Sequence, residues 1–137
     1  MTPRPSRVGE ERALKALWKE VFGDSDEYID TFFREVYRPG MASVIEENGE
    51  IAAAAYAVPF GKYRYIYAVA TKPEYRGRGY ARKVVNSAKN EILAAGKRVT
   101  LNVDRKNPVS YHLYLSLGFE RMFSQGEFRR VDNRPES

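Results

Sequence analysis

Apolar positions along the chain fall first into two helical stripes and then into strand-like runs. From Glu10 onward, Leu14, Leu17, Trp18, Val21 and Phe22 recur at spacings of three and four, which predicts an amphipathic helix stopped by Gly23. Asp24 or Ser25 is placed to cap a second helix. Asp26 and Glu27 fill its first turn, where acids suit the helix dipole, and Ile29, Phe32, Phe33 and Val36 form its apolar face. Pro39-Gly40 ends it. The runs "MASVIEE" and "EIAAAAYAVPF" then flank Asn48-Gly49, whose tolerance of positive φ marks a hairpin. The alanines at 52–55 read as strand because they follow that turn, and their small side chains leave room for a helix or a ligand to lie close. A third strand, "KYRYIYAVAT", sends Tyr63, Tyr65, Tyr67 and Val69 to one face and Arg64, Ile66, Ala68 and Ala70 to the other.

Beyond the loop "KPEYRGRGY", Ala81, Val84, Val85, Ala88 and Ile92 stripe a helix over residues 79–95, with Gly96 at its end. "RVTLNV" is a fourth strand. Asn107-Pro108 opens a further helix that Gly118 closes, and "FERMFS" and "FRRV" read as a terminal pair of strands. This order predicts an α/β fold, a single mixed, mostly antiparallel sheet flanked by helices. No repeat or linker divides the chain, so residues 1–137 read as one domain, with 1–9 and 133–137 expected to fray.

Composition narrows the chemistry. Hydrophobic residues at 43% and charged residues at 30% are globular proportions, and 137 residues can bury a real core. The chain has no cysteine, which removes disulfides and thiolate nucleophiles and fits a cytoplasmic location. One histidine, His112, is too few for a protein-only zinc site, so no metal is expected. No apolar run approaches ~18 residues, so no membrane span is predicted. The N-terminal "MTPRPSRVGEER" has no apolar stretch after its basic residues and does not read as a signal peptide. The net charge of +5 permits an anionic ligand.

The stretch "PEYRGRGYARKV" is the strongest candidate for such a ligand. Gly77 and Gly79 sit where a strand gives way to a helix, among Arg76, Arg78 and Arg82. A helix start carries unsatisfied N–H groups and about half a positive charge, and glycine lets phosphate approach the backbone. The loop is neither the dinucleotide fingerprint G-x-G-x-x-G nor a Gly-Lys-Ser/Thr loop. Taken alone it reads either as a phosphate site or as a solvated basic turn.

It does not stand alone. "VATKPEYRGRGYARKV" followed by "NPVSYHLYLSLGF" resembles the GNAT acyltransferase superfamily over roughly residues 42–125. The family's Arg/Gln-x-x-Gly-x-Gly/Ala loop is read here as Arg76-Gly77-Arg78-Gly79-Tyr80-Ala81. Asn107, Ser110, Leu113, Tyr114, Leu117, Gly118 and Phe119 fill its second motif. The resemblance implies the acyl-CoA N-acyltransferase fold and acetyl-CoA as cosubstrate. It implies that backbone N–H groups of Arg76, Gly77, Arg78, Gly79, Tyr80 and Ala81 hold the pyrophosphate. The strand at Val69 and Ala70 would pair with the pantetheine arm and polarise the thioester carbonyl. Asn107 would contact the arm, and Tyr114 would protonate the departing thiolate. Asn107 and Tyr114 are seven residues apart, so at about 100° per residue they share a helix face, while His112 faces away. As packing rather than chemistry, Tyr114 reads as a half-buried core tyrosine. No general base stands out. Glu46, Glu47, Glu50 and Glu74 read as surface charges, and Tyr56, Tyr63, Tyr65 and Tyr67 read as packing residues or as the wall of an acceptor site.

The implied activity is an acetyl-CoA-dependent N-acetyltransferase, in which a small-molecule or peptide primary amine attacks the thioester directly within a ternary complex. The alternative is a nonenzymatic acyl-CoA-binding module, or a fragment of a longer acetyltransferase. The second possibility arises because the first half resembles the N-terminal domain of enhanced-intracellular-survival-type acetyltransferases, which carry further domains. "PRPSRV" is a poor match to the strand with which family members begin. Nucleic acid is a weaker partner reading, since Lys and Arg are scattered and no recognition helix is evident. An end strand after Phe119 leaves room for a homodimer.

Overall fold

The computed structural model describes residues 2–102, 113, 115–121 and 127–130. Its elements are β1 (Arg4–Pro5), α1 (Glu11–Phe22), α2 (Asp26–Glu35), β2 (Ala42–Glu47), β3 (Glu50–Phe60), β4 (Tyr63–Thr71), a 3-10 turn (Pro73–Tyr75), α3 (Tyr80–Ala94), β5 (Arg98–Asn102), β6 (Phe119–Arg121) and β7 (Glu127–Arg130). They build one sheet in the order β1-β2-β3-β4-β5-β7-β6. β4 and β5 run parallel because α3 carries the chain back between them. The other described pairs are antiparallel. This is the mixed, mostly antiparallel sheet that the pattern predicts. Among the described residues no helix is long and apolar enough to cross a membrane.

Each face of the sheet carries its own core. On one, Val84, Val85, Ala88 and Ile92 of α3 pack over Ile45, Ala52, Ala53, Ala55 and Ile66. On the other, Leu14, Leu17 and Trp18 of α1 join Ile29, Phe32 and Phe33 of α2 over Val44, Ala54, Tyr56 and Ala70. Trp18 is the hub of the second core. Its ring centroid lies 4.8 Å from that of Phe32 and 5.1 Å from that of Tyr56, and its Nε1 donates to Asp24 Oδ2 at 2.8 Å. Asp24 therefore serves the tryptophan, while Ser25 caps α2 by accepting from the Tyr28 N–H at 3.1 Å. The Tyr56 hydroxyl donates to the Leu14 carbonyl at 3.1 Å, so this tyrosine is a packing residue.

Asn48 and Gly49 both have positive φ, as the hairpin requires. Residues 52–55 are strand, fully buried between the two helical layers. Two bulges disturb the expected alternation. Ala52 is an extra residue opposite β2, between the pairs Ile45↔Ala53 and Glu46↔Ile51. Tyr67 is an extra residue opposite β3, between Tyr56↔Ala68 and Ala57↔Ile66. The second bulge corrects the face assignment read from the sequence. Val69 joins Ile66 against the α3 core, and Ala68 and Ala70 join Tyr67 on the α1–α2 side.

Two other expectations change. Val36 follows the last turn of α2 as its C-cap and is exposed rather than buried. The N-terminal segment was expected to fray, yet Arg4 and Pro5 pair with Val44 and Ser43. Ser6 is buried, its N–H bonds to the Ala42 carbonyl at 2.7 Å, and its Oγ accepts from the Tyr37 hydroxyl at 2.8 Å. Arg4 forks onto Glu10, at 3.0 and 2.6 Å, and reaches Glu46 at 2.8 Å. These fixed partners outweigh the low strand preference of an Arg-Pro pair.

The Arg4 hydrogen bond holds the Glu10 carboxyl below its ordinary range. Its stabilisation is therefore present above the unfolded value of about 4.3 and is lost as pH falls through the lower folded value. Glu10→Gln is expected to cost about 1 kcal/mol at neutral pH and to flatten the loss of stability below about pH 4. Urea melts of both proteins across pH 3–7 check this; parallel curves would remove the Arg4 clamp as a source of acid sensitivity.

Candidate functional site

The bulge at Tyr67 marks the place where β4 and β5 part. β4 pairs with β5 only from Tyr63↔Arg98 to Ile66↔Leu101, yet it continues along β3 as far as Ala53↔Thr71. Past Ile66, no described strand stands on the β5 side of β4. The Lys72 N–H bonds to the Ala52 carbonyl at 2.9 Å. Counting back with period two, Ala70 and Ala68 also turn their backbone groups toward β3, and Val69 and Thr71 turn theirs to the open side. Of the two strand residues singled out in the sequence, Val69 presents backbone to the opening and Ala70 is committed to the sheet.

A 3-10 turn leads from this edge into the glycine–arginine loop. Gly77 and Gly79 take positive φ of 83° and 77°, which explains glycine at both positions without appeal to crowding. A Cβ built at either would meet nothing within 4 Å. The first backbone bond closing α3 joins the Lys83 N–H to the Gly79 carbonyl at 3.2 Å. The N–H groups of residues 77–82 are thus left without a backbone acceptor among the described residues, at the positive end of a fifteen-residue helix. Of the six residues expected to offer N–H groups, Gly77, Arg78, Gly79, Tyr80 and Ala81 have theirs without a backbone acceptor, whereas the Arg76 N–H closes the 3-10 turn on the Pro73 carbonyl at 3.3 Å.

The arginines have protein partners of their own. Arg76 Nε donates to the Thr71 carbonyl at 3.2 Å, and Arg82 Nη1 donates to Ser116 Oγ at 2.5 Å. Arg78 Nη1 pairs with Glu47 Oε2 at 2.7 Å and lies over the Tyr75 ring. The buried Tyr80 hydroxyl donates to the other Glu47 oxygen, and this bond raises the Tyr80 pKa. Tyr75 stacks on Tyr80 and donates to Glu50 Oε2 at 3.2 Å. Lys72 Nζ reaches Glu50 at 3.0 Å and Glu20 at 3.5 Å. Its hydrogen bond lowers the Glu50 pKa.

The β2–β3 hairpin therefore latches the loop. Sequence reading gave Glu47 and Glu50 to solvent and overlooked Tyr75. A signal was available: Glu47 and Glu50 stand opposite each other across the Asn48-Gly49 turn. Like charges in such a pair repel, so cations are needed nearby.

The second sequence motif reaches the same region. Leu113, Leu117 and Phe119 pack into the α3 core, and Lys89 Nζ donates to the Leu117 carbonyl at 3.4 Å. Asn107, Ser110, His112 and Tyr114 lie outside the described residues.

Comparison with known proteins agrees with this architecture. The sequence model of the acetyltransferase (GNAT) family matches residues 11–119. The chain is 29% identical over 113 residues to an L-amino acid N-acyltransferase, MnaT, of Escherichia coli; the match covers 76% of this chain and 64% of that protein. Among solved structures, a ribosomal-protein alanine N-acetyltransferase from Escherichia coli is similar with a TM-score of 0.74 and 17% identity, over 99% of this chain and 98% of the other. A GNAT-family acetyltransferase from Brucella melitensis in complex with acetyl-CoA gives 0.73 and 17%, over 98% and 89%. At these identities the structural likeness speaks to the fold.

Replacing Glu47 by Gln should release Arg78 and bring the Tyr80 phenol down toward its ordinary pKa of about 10. A pH titration of ring-labelled tyrosine by NMR checks this. An unmoved Tyr80 resonance would show that the latch does not depend on the Glu47 charge.

Proposed function

From the premise that the chain belongs to the acetyltransferase (GNAT) family, we propose that it is an acetyl-CoA-dependent N-acetyltransferase acting on a primary amine. The observation that carries the proposal is the β4 edge past Ile66, without a strand partner on its β5 side among the described residues, followed after one 3-10 turn by the N–H groups of residues 77–82, which have no backbone acceptor there. A coenzyme A chain has matching chemistry. Its pyrophosphate needs several N–H donors and positive potential, and its pantetheine amides need a strand edge. The N–H groups of residues 77–81 take the first part and the Val69 side of β4 takes the second. The latch through Glu47 and Glu50 holds the loop in shape before the ligand arrives, which reduces the ordering cost of binding.

The amine nitrogen attacks the thioester carbonyl carbon directly. A C–N bond forms, the C–S bond breaks, and the proton lost from nitrogen balances the one gained by sulfur. The chain has no cysteine to form an acyl-enzyme, in keeping with direct transfer. The Val69 N–H is the donor set to polarise the carbonyl as charge develops on its oxygen. Asn107 contacts the coenzyme arm, and Tyr114 gives the thiolate its proton, a role open to a phenol with an ordinary pKa of about 10. The resemblance of the first half to enhanced-intracellular-survival-type enzymes keeps aminoglycosides among the acceptors to test. The absence of cysteine supports a cytoplasmic location, and β6, at one end of the sheet, is the edge through which a homodimer would form.

Calorimetry with acetyl-CoA tests the reading; no heat at millimolar ligand would overturn it. Gly79→Val forces a β-branched residue to positive φ, a strain of about 1–3 kcal/mol, and is expected to weaken acetyl-CoA at least ~5-fold. Arg78→Ala is expected to weaken it less, since the amides do the holding. The reverse order would make the loop a basic patch. Tyr114→Phe is expected to lower kcat about 100-fold with acetyl-CoA affinity intact. Unchanged thiol release would remove Tyr114 as the acid.

A further inference from the structure

A groove of about 350 Å³ opens on the α2 side of β4, beside the parting of β4 and β5. Tyr65 and Tyr67, which form one wall, flank Ile66, the last β4 residue paired to β5. Phe32 and Val58 form the floor, and Phe32 stacks on Tyr67 with centroids 5.8 Å apart and planes 15° from parallel. Tyr28, Val36 and Tyr67 are 44%, 39% and 39% exposed here, so three large apolar side chains face solvent around one groove. An exposed apolar concentration of this kind marks a binding surface.

Polarity within the groove is sparse and ordered. The Tyr28 and Tyr67 hydroxyls bond to each other, which pushes the Tyr28 phenol up to about 12 and keeps it neutral. Glu35 lies seven residues beyond Tyr28 on α2, about 10 Å along the helix. It is the one charged residue among the groove's described lining, and its exposed contact with Arg34 at 3.4 Å is weak. The Tyr28–Tyr67 end lies two residues along β4 from Val69, and Glu35 lies two helical turns away from Tyr28 along α2.

We propose that this groove selects the acceptor, and that the acceptor is an arylalkyl monoamine. This rests on the acetyltransferase reading above. The amine stands at the Tyr28–Tyr67 end and the flat apolar body lies against Phe32, Val58 and Tyr65. Aromatic walls favour such a body and also attract an arriving ammonium through their ring faces. A polyamine would carry more cations than one glutamate can match. An α-amino acid would bring a carboxylate to a lining with no described cation. An aminoglycoside, also a polycation, would bring the same excess of ammonium groups.

Three acceptors separate these classes: phenethylamine, spermidine and phenylalanine, each assayed by thiol release with saturating acetyl-CoA. Phenethylamine is expected to exceed the other two in kcat/KM by about tenfold or more, the worth of one well-buried ring contact or one unmatched charge. Thr31→Arg, at an exposed α2 position on the groove, is expected to raise the phenethylamine KM at least tenfold and leave acetyl-CoA affinity unchanged. Equal or better turnover of spermidine or phenylalanine, or an unmoved KM in Thr31→Arg, overturns the proposal. If acetyl-CoA itself fails to bind, the acetyltransferase reading falls. The groove is then judged by NMR titration with phenethylamine: shifts at Phe32 and Tyr65 support it, and their absence overturns it.

Discussion

One extra residue in β4 organises the rest of the molecule. Tyr67 is bulged where the described pairing of β4 with its parallel partner β5 ends, at Ile66. The same extra residue turns Tyr67 and Ala68 to one face. Tyr67 thereby reaches Trp18, Phe32 and Tyr28 on the α1–α2 side, and Val69 drops onto the α3 core.

The two helical layers hold this part of β4 from opposite sides. α3 brings its N-terminus to the end of β4, and the hairpin carrying Glu47 and Glu50 fastens the intervening loop. α1 and α2 supply the aromatic cluster beneath Tyr67. The bulge, the loop and the groove are thus neighbours along a single strand, although their side chains come from helices far apart in sequence.

Much of the fold was legible because it is locally encoded. Helical stripes, the Asn48-Gly49 turn and the glycine stops each depend on a few adjacent residues, and α1, α2, α3 and the β2–β3 hairpin stand where the pattern puts them. The glycine–arginine loop was legible for the same reason, as positive φ is written directly in glycine. What escaped was set by distant partners. Arg4-Pro5 is a poor strand in isolation and becomes one because Glu10, Glu46 and β2 receive it. The bulge at Tyr67 has no local mark in "KYRYIYAVAT", and strict alternation therefore assigned Val69, Ala68 and Ala70 to the wrong faces. The tyrosine–glutamate latch needs residues about thirty positions apart to meet, which periodicity does not report.

The alanines of β3 carry a consequence of another kind. Ala52, Ala53, Ala54 and Ala55 are fully buried at the centre of the sheet, between α3 on one face and α1 and α2 on the other. Alanine has no rotamers to lose, so ordering this segment costs backbone entropy alone. Nor can its side chains repack around a neighbour that moves. The middle of β3 thus presents to both helical layers a surface whose shape the backbone alone sets.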